Sequence, residues 1–491
     1  MAATFHIENF GCRAARADGE AVSDRLRAAG LAGHTPATAD VVVVNTCSVT
    51  AEADRAARAY IRRAHRLNPQ ARIVVTGCYA QRAPDELAPM AGVAAVVGNS
   101  HKALAPQIIL NLLGRVPAQA DSGLIQIQAA TNIERASSEQ LAPPKVAQVV
   151  WADDRFAHSF LEEAQVIPGS QTRPNLKIQE GCGNRCTFCV IPTTRGASKS
   201  LPAPKILEQA EGFVAAGGNE LVLSGINLGR WGRDLPLTPG APPATLAGLV
   251  RQIFASTTLP RLRLSSIEPM DWDAELISLM AEYGSTRLAR HAHLPLQSGS
   301  DAVLRRMHRR YRPWHYMEKV HALLHAAGPD LTLGADVMVG FPGESGREFE
   351  ETLSLVRSLP FGYLHLFPFS PRPGTRGWAL HAESPVPAAA VEERMAALRA
   401  LAAEKSQTHR LRFLGRELAA ITLHTPAELA ARGRTAALTE NFLPVEIAGL
   451  FPVNRLLLVR PGALNPQATL EAEAVIDPQL PGSAKPSQCY T

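Results

Sequence analysis

Apolar positions in the first hundred residues fall into two alternating rhythms: short β-branched runs, and longer stretches with one apolar face every three or four residues. Phe5 and Ile7 mark a strand, and Val22, Leu26 and Ala29 share a face of the helix after it. A buried strand is expected over Asp40 to Asn45. A helix from about Glu52 to Leu67 should turn Tyr60, Ala64 and Leu67 inward, with further strands over Arg72 to Thr76 and Val93 to Val97. Such alternation argues for an open parallel sheet covered by helices. From Val116 to Arg173 periodicity fades and Gln, Ala, Ser and Pro dominate, so this stretch reads as a connector with one candidate strand near Leu124 to Ile127.

The alternation then resumes. Strands are expected at Leu176–Gln179, Glu220–Ile226, Arg261–Ile267, His291–Leu296, Leu331–Val339 and Tyr363–Ser370. Helical stretches near Lys205–Ala215, Thr245–Phe254, Ala274–Glu282, Tyr316–Ala327 and Arg347–Ser358 separate them. Six βα units make an incomplete version of the eight-unit barrel, whose chemistry sits at the strand carboxyl ends. A helix over Ala388 to Phe413 follows, and then the period drops to two. Arg416–His424, Arg432–Asn441, Leu443–Gly449, Asn454–Arg460 and Ala468–Ile476 are short alternating strands, expected to form a small antiparallel barrel. The fold class is therefore α/β, with an open parallel α/β domain (residues 1–115), a connector (116–172), a partial (β/α)6 barrel (173–405) and a small β-barrel (406–478). A tail at 479–491 is expected to be disordered.

Composition narrows this little. The 491 residues are 46% apolar and 19% charged, which describes an ordered chain with ample material for cores. No apolar run is long enough to cross a bilayer, and Met1 to Gly11 has no secretory-leader pattern. A cytoplasmic protein with no membrane association is expected. The net charge of +5 is mild.

The seven cysteines change the picture. Cys182, Cys186 and Cys189 have the spacing C-x3-C-x2-C in a tight loop just past a strand, and no fourth Cys or His lies near. Three ligands leave one metal position open, which favours an iron–sulfur cluster over a closed structural zinc site. An incidental thiol cluster or a zinc knuckle with a distant ligand is the alternative. Cys12, Cys47 and Cys78 each follow a strand of the first domain at intervals of 35 and 31 residues, about one βα unit each. Strand carboxyl ends are where open α/β sheets bind ligands, so these three can converge on a second open metal centre. Three unrelated buried cysteines are the alternative there. Cys489 in the tail reads as a bystander.

Polar and glycine residues beside the later barrel strands are candidate cofactor contacts: Gly217, Gly218, Ser224, Ser266, Glu268 and Gln297. Asp336, inside the fifth strand, adds a carboxylate. Basic residues cluster twice: Arg55, Arg58, Arg62 and Arg66 with Arg63, and Arg305, Arg306, Arg309, Arg310 and Arg312. Both faces are expected to attract phosphates of a nucleic acid.

These residues together resemble the radical S-adenosylmethionine (SAM) methylthiotransferases. The segments that carry the likeness are Asn45 to Thr50, Val75 to Gln81, Leu176 to Cys182, Leu294 to Asp301 and Ser370 to Thr375. Ala437 to Phe442 resembles the family's RNA-binding TRAM barrel. The resemblance implies a [4Fe-4S] cluster on Cys182, Cys186 and Cys189 that reduces SAM. It implies a second, sulfur-delivering [4Fe-4S] cluster on Cys12, Cys47 and Cys78. The 5′-deoxyadenosyl radical so made can abstract hydrogen from an aromatic C–H beyond the reach of any side-chain base. Val49-Thr50 resembles the branch acting on N6-threonylcarbamoyladenosine at position 37 of a tRNA anticodon loop. A flavodoxin- or ferredoxin-like electron donor is implied as well. Ala197 stands where the family usually has a second arginine. Four rivals remain: isopentenyladenosine as substrate, a ribosomal-protein aspartate as substrate, a non-catalytic metal-containing RNA-binding protein, and a barrel radical enzyme with another non-RNA substrate.

Overall fold

The computed structural model describes residues 3–115, 149–160 and 172–475, apart from 238, 241 and 285. The chain divides into two units, residues 1–48 with 52–162 and residues 49–51 with 163–491. The expected strand at Leu124 to Ile127, the tail and Cys489 lie outside the described residues.

The first unit is built on a six-stranded parallel sheet in the order Ala32–Gly33, Thr4–Asn9, Val41–Thr46, Arg72–Gly77, Val93–Gly98 and Val149–Trp151. Its central strand is a run of four valines because helices cover both faces. Val42 and Val44 pack with Tyr60, Ile61 and Ala64 of the Ala51–Leu67 helix. Val41 and Val43 pack on the other face with Ala21, Val22 and Leu26 of the Arg13–Ala28 helix. Two expectations need correction. Leu67 is 55% exposed, because the helix ends there and the Asn68 side chain turns the chain by donating to Ala39 O at 2.9 Å. The stretch expected as a connector contributes the edge strand Val149–Trp151.

The second unit holds both barrels. All six expected βα strands are present. Lys199–Ser200, Asn175–Glu180, Glu220–Gly225 and Arg261–Leu264 form one sheet, and His291–His293, Thr332–Val339 and Phe361–Pro368 another. An isolated parallel bridge pairs Leu262 with Leu288 just ahead of the second sheet, and Ile267 N donates to His293 O, so the two sheets continue as one incomplete barrel. The small barrel closes in the order Leu418–Thr422, Arg434–Thr439, Pro444–Ala448, Leu470–Ala474, Leu456–Leu464 around Val445, Ile447, Val459 and Leu470. It is not wholly antiparallel: Pro444–Ala448 pairs parallel with Leu470–Ala474. Five strands in a closed ring cannot alternate direction all the way round, so one pair must be parallel.

A buried ion cluster fastens the small barrel to the large one. Glu220, fully buried, accepts from Arg263 Nε at 2.8 Å and pairs with Arg261 and Arg173 at 3.3 Å. Arg261 and Arg263 each reach across to carbonyls of the small barrel, at Ala419 and Thr439. Burial pushes the Glu220 carboxyl up, yet the guanidiniums of Arg263, Arg173 and Arg261 overcome it and hold it at about 2. The motif Ala437 to Phe442 completes the dock. Glu440 pairs with Arg290, Asn441 donates to Asp330 O, and Phe442 packs 4.3 Å from the His291 ring. No described helix is long and apolar enough to cross a membrane.

Candidate metal centres

The loop of Cys182, Cys186 and Cys189 is positioned by the buried end of the first barrel strand. Glu180 holds Lys177 at 2.9 Å and Arg195 at 2.5 Å, all three out of solvent. Gln179 Nε2 donates to the carbonyls of Glu180 and Gly181 and to Ser198 Oγ, while its Oε1 accepts from Asn227 N at 2.6 Å. The loop is thus tied to the next strand end. Cys189 N donates to Cys186 O, turning the chain so that all three thiols line one cavity of about 220 Å³.

Donors surround the sulfurs. Asn184 N lies 3.4 Å from Cys182 Sγ, Asn227 Nδ2 3.6 Å from the same atom, Ile191 N 3.5 Å from Cys189 Sγ, and Arg309 Nη1 3.3 Å from Cys186 Sγ. Burial pushes the Cys189 thiol up to about 12, so a cation that binds there must displace its proton. Among the described residues, the trio His293, Asp336 and His365 is the one whose ligand atoms all lie within 4.8 Å of one another. The three thiols, lining one cavity and fringed by N–H donors, suit a cluster whose irons each take one thiolate.

Of the candidate cofactor contacts, Ser266, Glu268 and Gln297 line the thiol cavity with Asn227, Arg309 and Asp336. Gln297 is 7% exposed at a φ of +62°, and its Oε1 has no partner among the described residues, as suits a residue aimed at a polar ligand. Glu268 holds Arg309 at 2.6 Å. Ser224 is buried, its Oγ 3.5 Å from Leu176 O in the neighbouring strand. Gly217 and Gly218 are not brought to the thiols. They precede their strand at its amino end, where Gly217 O accepts from Asn454 of the small barrel and Gly218 packs against the Phe213 ring.

In the first unit, Cys12 caps the Arg13–Ala28 helix, Cys47 follows Val41–Thr46 and Cys78 follows Arg72–Gly77. The three strands concerned are adjacent, with Asn9 beside Asn45 and Asn45 beside Thr76, so all three thiols sit at one sheet edge. Gly11 takes a φ of +105°, and a Cβ there would come 2.8 Å from Cys47 Sγ, so this turn requires glycine. Asn99 Nδ2 donates to Cys78 Sγ at 3.4 Å. The chemistry of this donor set again fits a cluster with an open iron.

The basic residues divide. Arg62 and Arg66 are exposed and line a surface groove with His65 and Met90. Carboxylates engage the second run: Arg305 and Arg312 share Asp301, Arg306 holds Glu348, Arg309 holds Glu268, and Arg310 lies 3.7 Å from Asp271. Five arginines share four carboxylates, so the run is an ion-pair lattice that keeps net positive charge, with Arg305 and Arg310 still exposed. Asn227 and Arg309 were hidden as a turn residue and as one arginine among five. His293 and His365, which flank Asp336, were visible only as a period-two placement on strands that pair with a common neighbour.

Residues 4–98 match an uncharacterized protein family, UPF0004, and residues 176–356 match the radical SAM superfamily. The threonylcarbamoyladenosine tRNA methylthiotransferase MtaB of Bacillus subtilis is 33% identical over 450 residues, 91% of each chain. The protein of that name from Aquifex aeolicus is 32% identical over 92% of this chain and 98% of its own. The tRNA-2-methylthio-N(6)-dimethylallyladenosine synthase of Geobacter metallireducens is 33% identical over 76% of this chain and 77% of its own. Among solved structures, the radical SAM methyltransferase TsrM from Kitasatospora setae superposes with a TM-score of 0.50 at 14% identity, over 75% of this chain and 72% of that one, a likeness of fold.

Proposed function

We propose that this chain, which belongs to the radical SAM methylthiotransferase family, converts N6-threonylcarbamoyladenosine at position 37 of tRNA into its 2-methylthio derivative. One observation carries the reading. The similarity to the threonylcarbamoyladenosine enzyme of B. subtilis runs through 91% of both chains, whereas the match to the dimethylallyladenosine enzyme of G. metallireducens covers 76% and 77%.

Cys182, Cys186 and Cys189 would hold the [4Fe-4S] cluster that binds SAM, and Cys12, Cys47 and Cys78 the [4Fe-4S] cluster that brings sulfur. When bound, these groups supply the electron that cleaves SAM to a 5′-deoxyadenosyl radical and the sulfur that is methylated by a second SAM. The protein's own residues orient and insulate. Gln297 and Ser266 offer polar atoms to SAM, Arg309 balances thiolate charge under the grip of Glu268, and Asn227 ties the loop to the neighbouring strand. The anticodon loop is the partner, the electron donor is a flavodoxin- or ferredoxin-like protein, and the setting is the cytoplasm.

Nucleoside mass spectrometry of tRNA from a deletion strain tests the assignment. The 2-methylthio derivative of threonylcarbamoyladenosine should vanish and return on complementation. Loss of 2-methylthio-isopentenyladenosine instead would overturn the reading. Anaerobically reconstituted protein should carry about eight irons, and replacing either cysteine triad by alanine should leave about four.

A further inference from the structure

Three strands of the large barrel turn an unusual set of polar side chains to one place. His293, Asp336 and His365 lie on His291–His293, Thr332–Val339 and Phe361–Pro368, with Asp336 directly beside His365 in the parallel register. His293 Nε2 is 3.1 Å from Asp336 Oδ1, and His365 Nδ1 is 3.2 Å from the same oxygen. Tyr363 places its hydroxyl 3.0 Å from His293 Nδ1 and 2.8 Å from His291 Nε2. Gly334 makes room for this: a Cβ there would come within 2.1 Å of Tyr363 Cζ.

The hydrogen-bond directions follow from the chemistry. Burial pushes the Asp336 carboxyl up, but hydrogen bonds from His293 and His365 outweigh it and hold it well below the usual carboxylate range. An ionised carboxylate only accepts, so both imidazole nitrogens facing it carry protons. A neutral His293 then accepts from the Tyr363 hydroxyl at Nδ1. The far atom of the series is His365 Nε2, on a side chain that is 62% exposed. It accepts from a hydroxyl or an N–H while the ring is neutral, and donates to a carboxylate once the ring is charged. Asp336 also lines the cavity that holds the three thiols and Gln297, so this group is adjacent to the reaction centre.

We propose that His365, held by Asp336 and backed by His293 and Tyr363, is the subsite that receives the threonylcarbamoyl group of the substrate nucleoside. This deepens the function proposed above and rests on it. A group bearing a carboxylate, a hydroxyl and ureido N–H atoms can satisfy an imidazole and the carboxylate behind it. An isopentenyl chain cannot: it would strip water from these polar groups and return nothing, which is how a hydrogen-bonding site rejects an apolar analogue.

The test uses the full-length reconstituted enzyme, SAM and dithionite. Its substrates are tRNA with threonylcarbamoyladenosine, with unmodified adenosine, or with isopentenyladenosine at position 37. Wild type should prefer the first. His365→Phe should raise KM for the threonylcarbamoyl tRNA roughly 10- to 100-fold and erase the preference, while His365→Gln should restore part of it. The preference is a ratio measured on one preparation, so a smaller folded fraction does not imitate its loss. If His365→Phe does not fold, His365→Gln decides alone, and its preference should fall clearly below that of wild type. An unchanged preference in either variant would overturn the subsite, as would one extra equivalent of tightly bound zinc lost with His365. Failure of wild type to methylthiolate the threonylcarbamoyl tRNA would instead overturn the function itself.

Discussion

A methyl group added at Gly11 would lie 2.5 Å from Cys47 Cβ, on a backbone that L side chains rarely adopt. Gly11→Ala should therefore spoil the first-unit thiol site and leave the barrel site intact. Iron per chain is expected to fall from about eight to about four, measured by colorimetric assay after reconstitution. Gly334→Ala drives a methyl into the Tyr363 ring, so the expected cost is about 1–3 kcal/mol in urea unfolding, with the tyrosine–histidine bonds broken. The cysteines were legible at this scale because their spacing is itself the signal. Arg309 was not, since nothing in a run of arginines tells which one turns inward to a thiol and a carboxylate.

Secondary elements were the most legible part of the chain, because burial on one face or two imposes a period that residues report directly. Where tertiary packing decided, the pattern misled. Leu67 continues the apolar stripe of its helix but falls on the final, uncovered position. The direction of the last small-barrel strand is set by ring closure and leaves no mark in residue order. The Ala388–Leu411 helix carries a testable consequence of burial. His409 packs inside, its Nε2 2.8 Å from Thr332 Oγ1, and burial aided by Arg412 and Arg410 holds it down at about 4. The unfolded chain takes up this proton near pH 6.5 and the folded one does not. Stability present above about 6.5 should fall as pH drops toward 4, by on the order of 3 kcal/mol. His409→Gln should flatten that slope, followed by amide hydrogen exchange in the helix.

On the scale of the second unit, the two barrels are joined through Glu220 and its three arginines. Glu220→Gln leaves those guanidiniums buried without their counter-charge. A loss of roughly 3–5 kcal/mol is expected, with earlier proteolytic release of the small barrel as the readout. The Glu220 carboxyl lies below its ordinary range, so its contribution is complete above about pH 4.5 and is lost as pH falls through about 2.

The same dock bears on how the proposed tRNA substrate would be gauged. Glu440, Asn441 and Phe442 press against Arg290, Asp330 and His291 of the large barrel. Glu440 and Asn441 are buried there and offer almost no surface to a nucleotide. An RNA strand gripped by the small barrel would have to lie on its other sides, at a distance from the thiol cavity that the dock sets, like work against a lathe stop. The reach from grip to target base is then a fixed span, and a tRNA with one nucleotide inserted between them would present the wrong base.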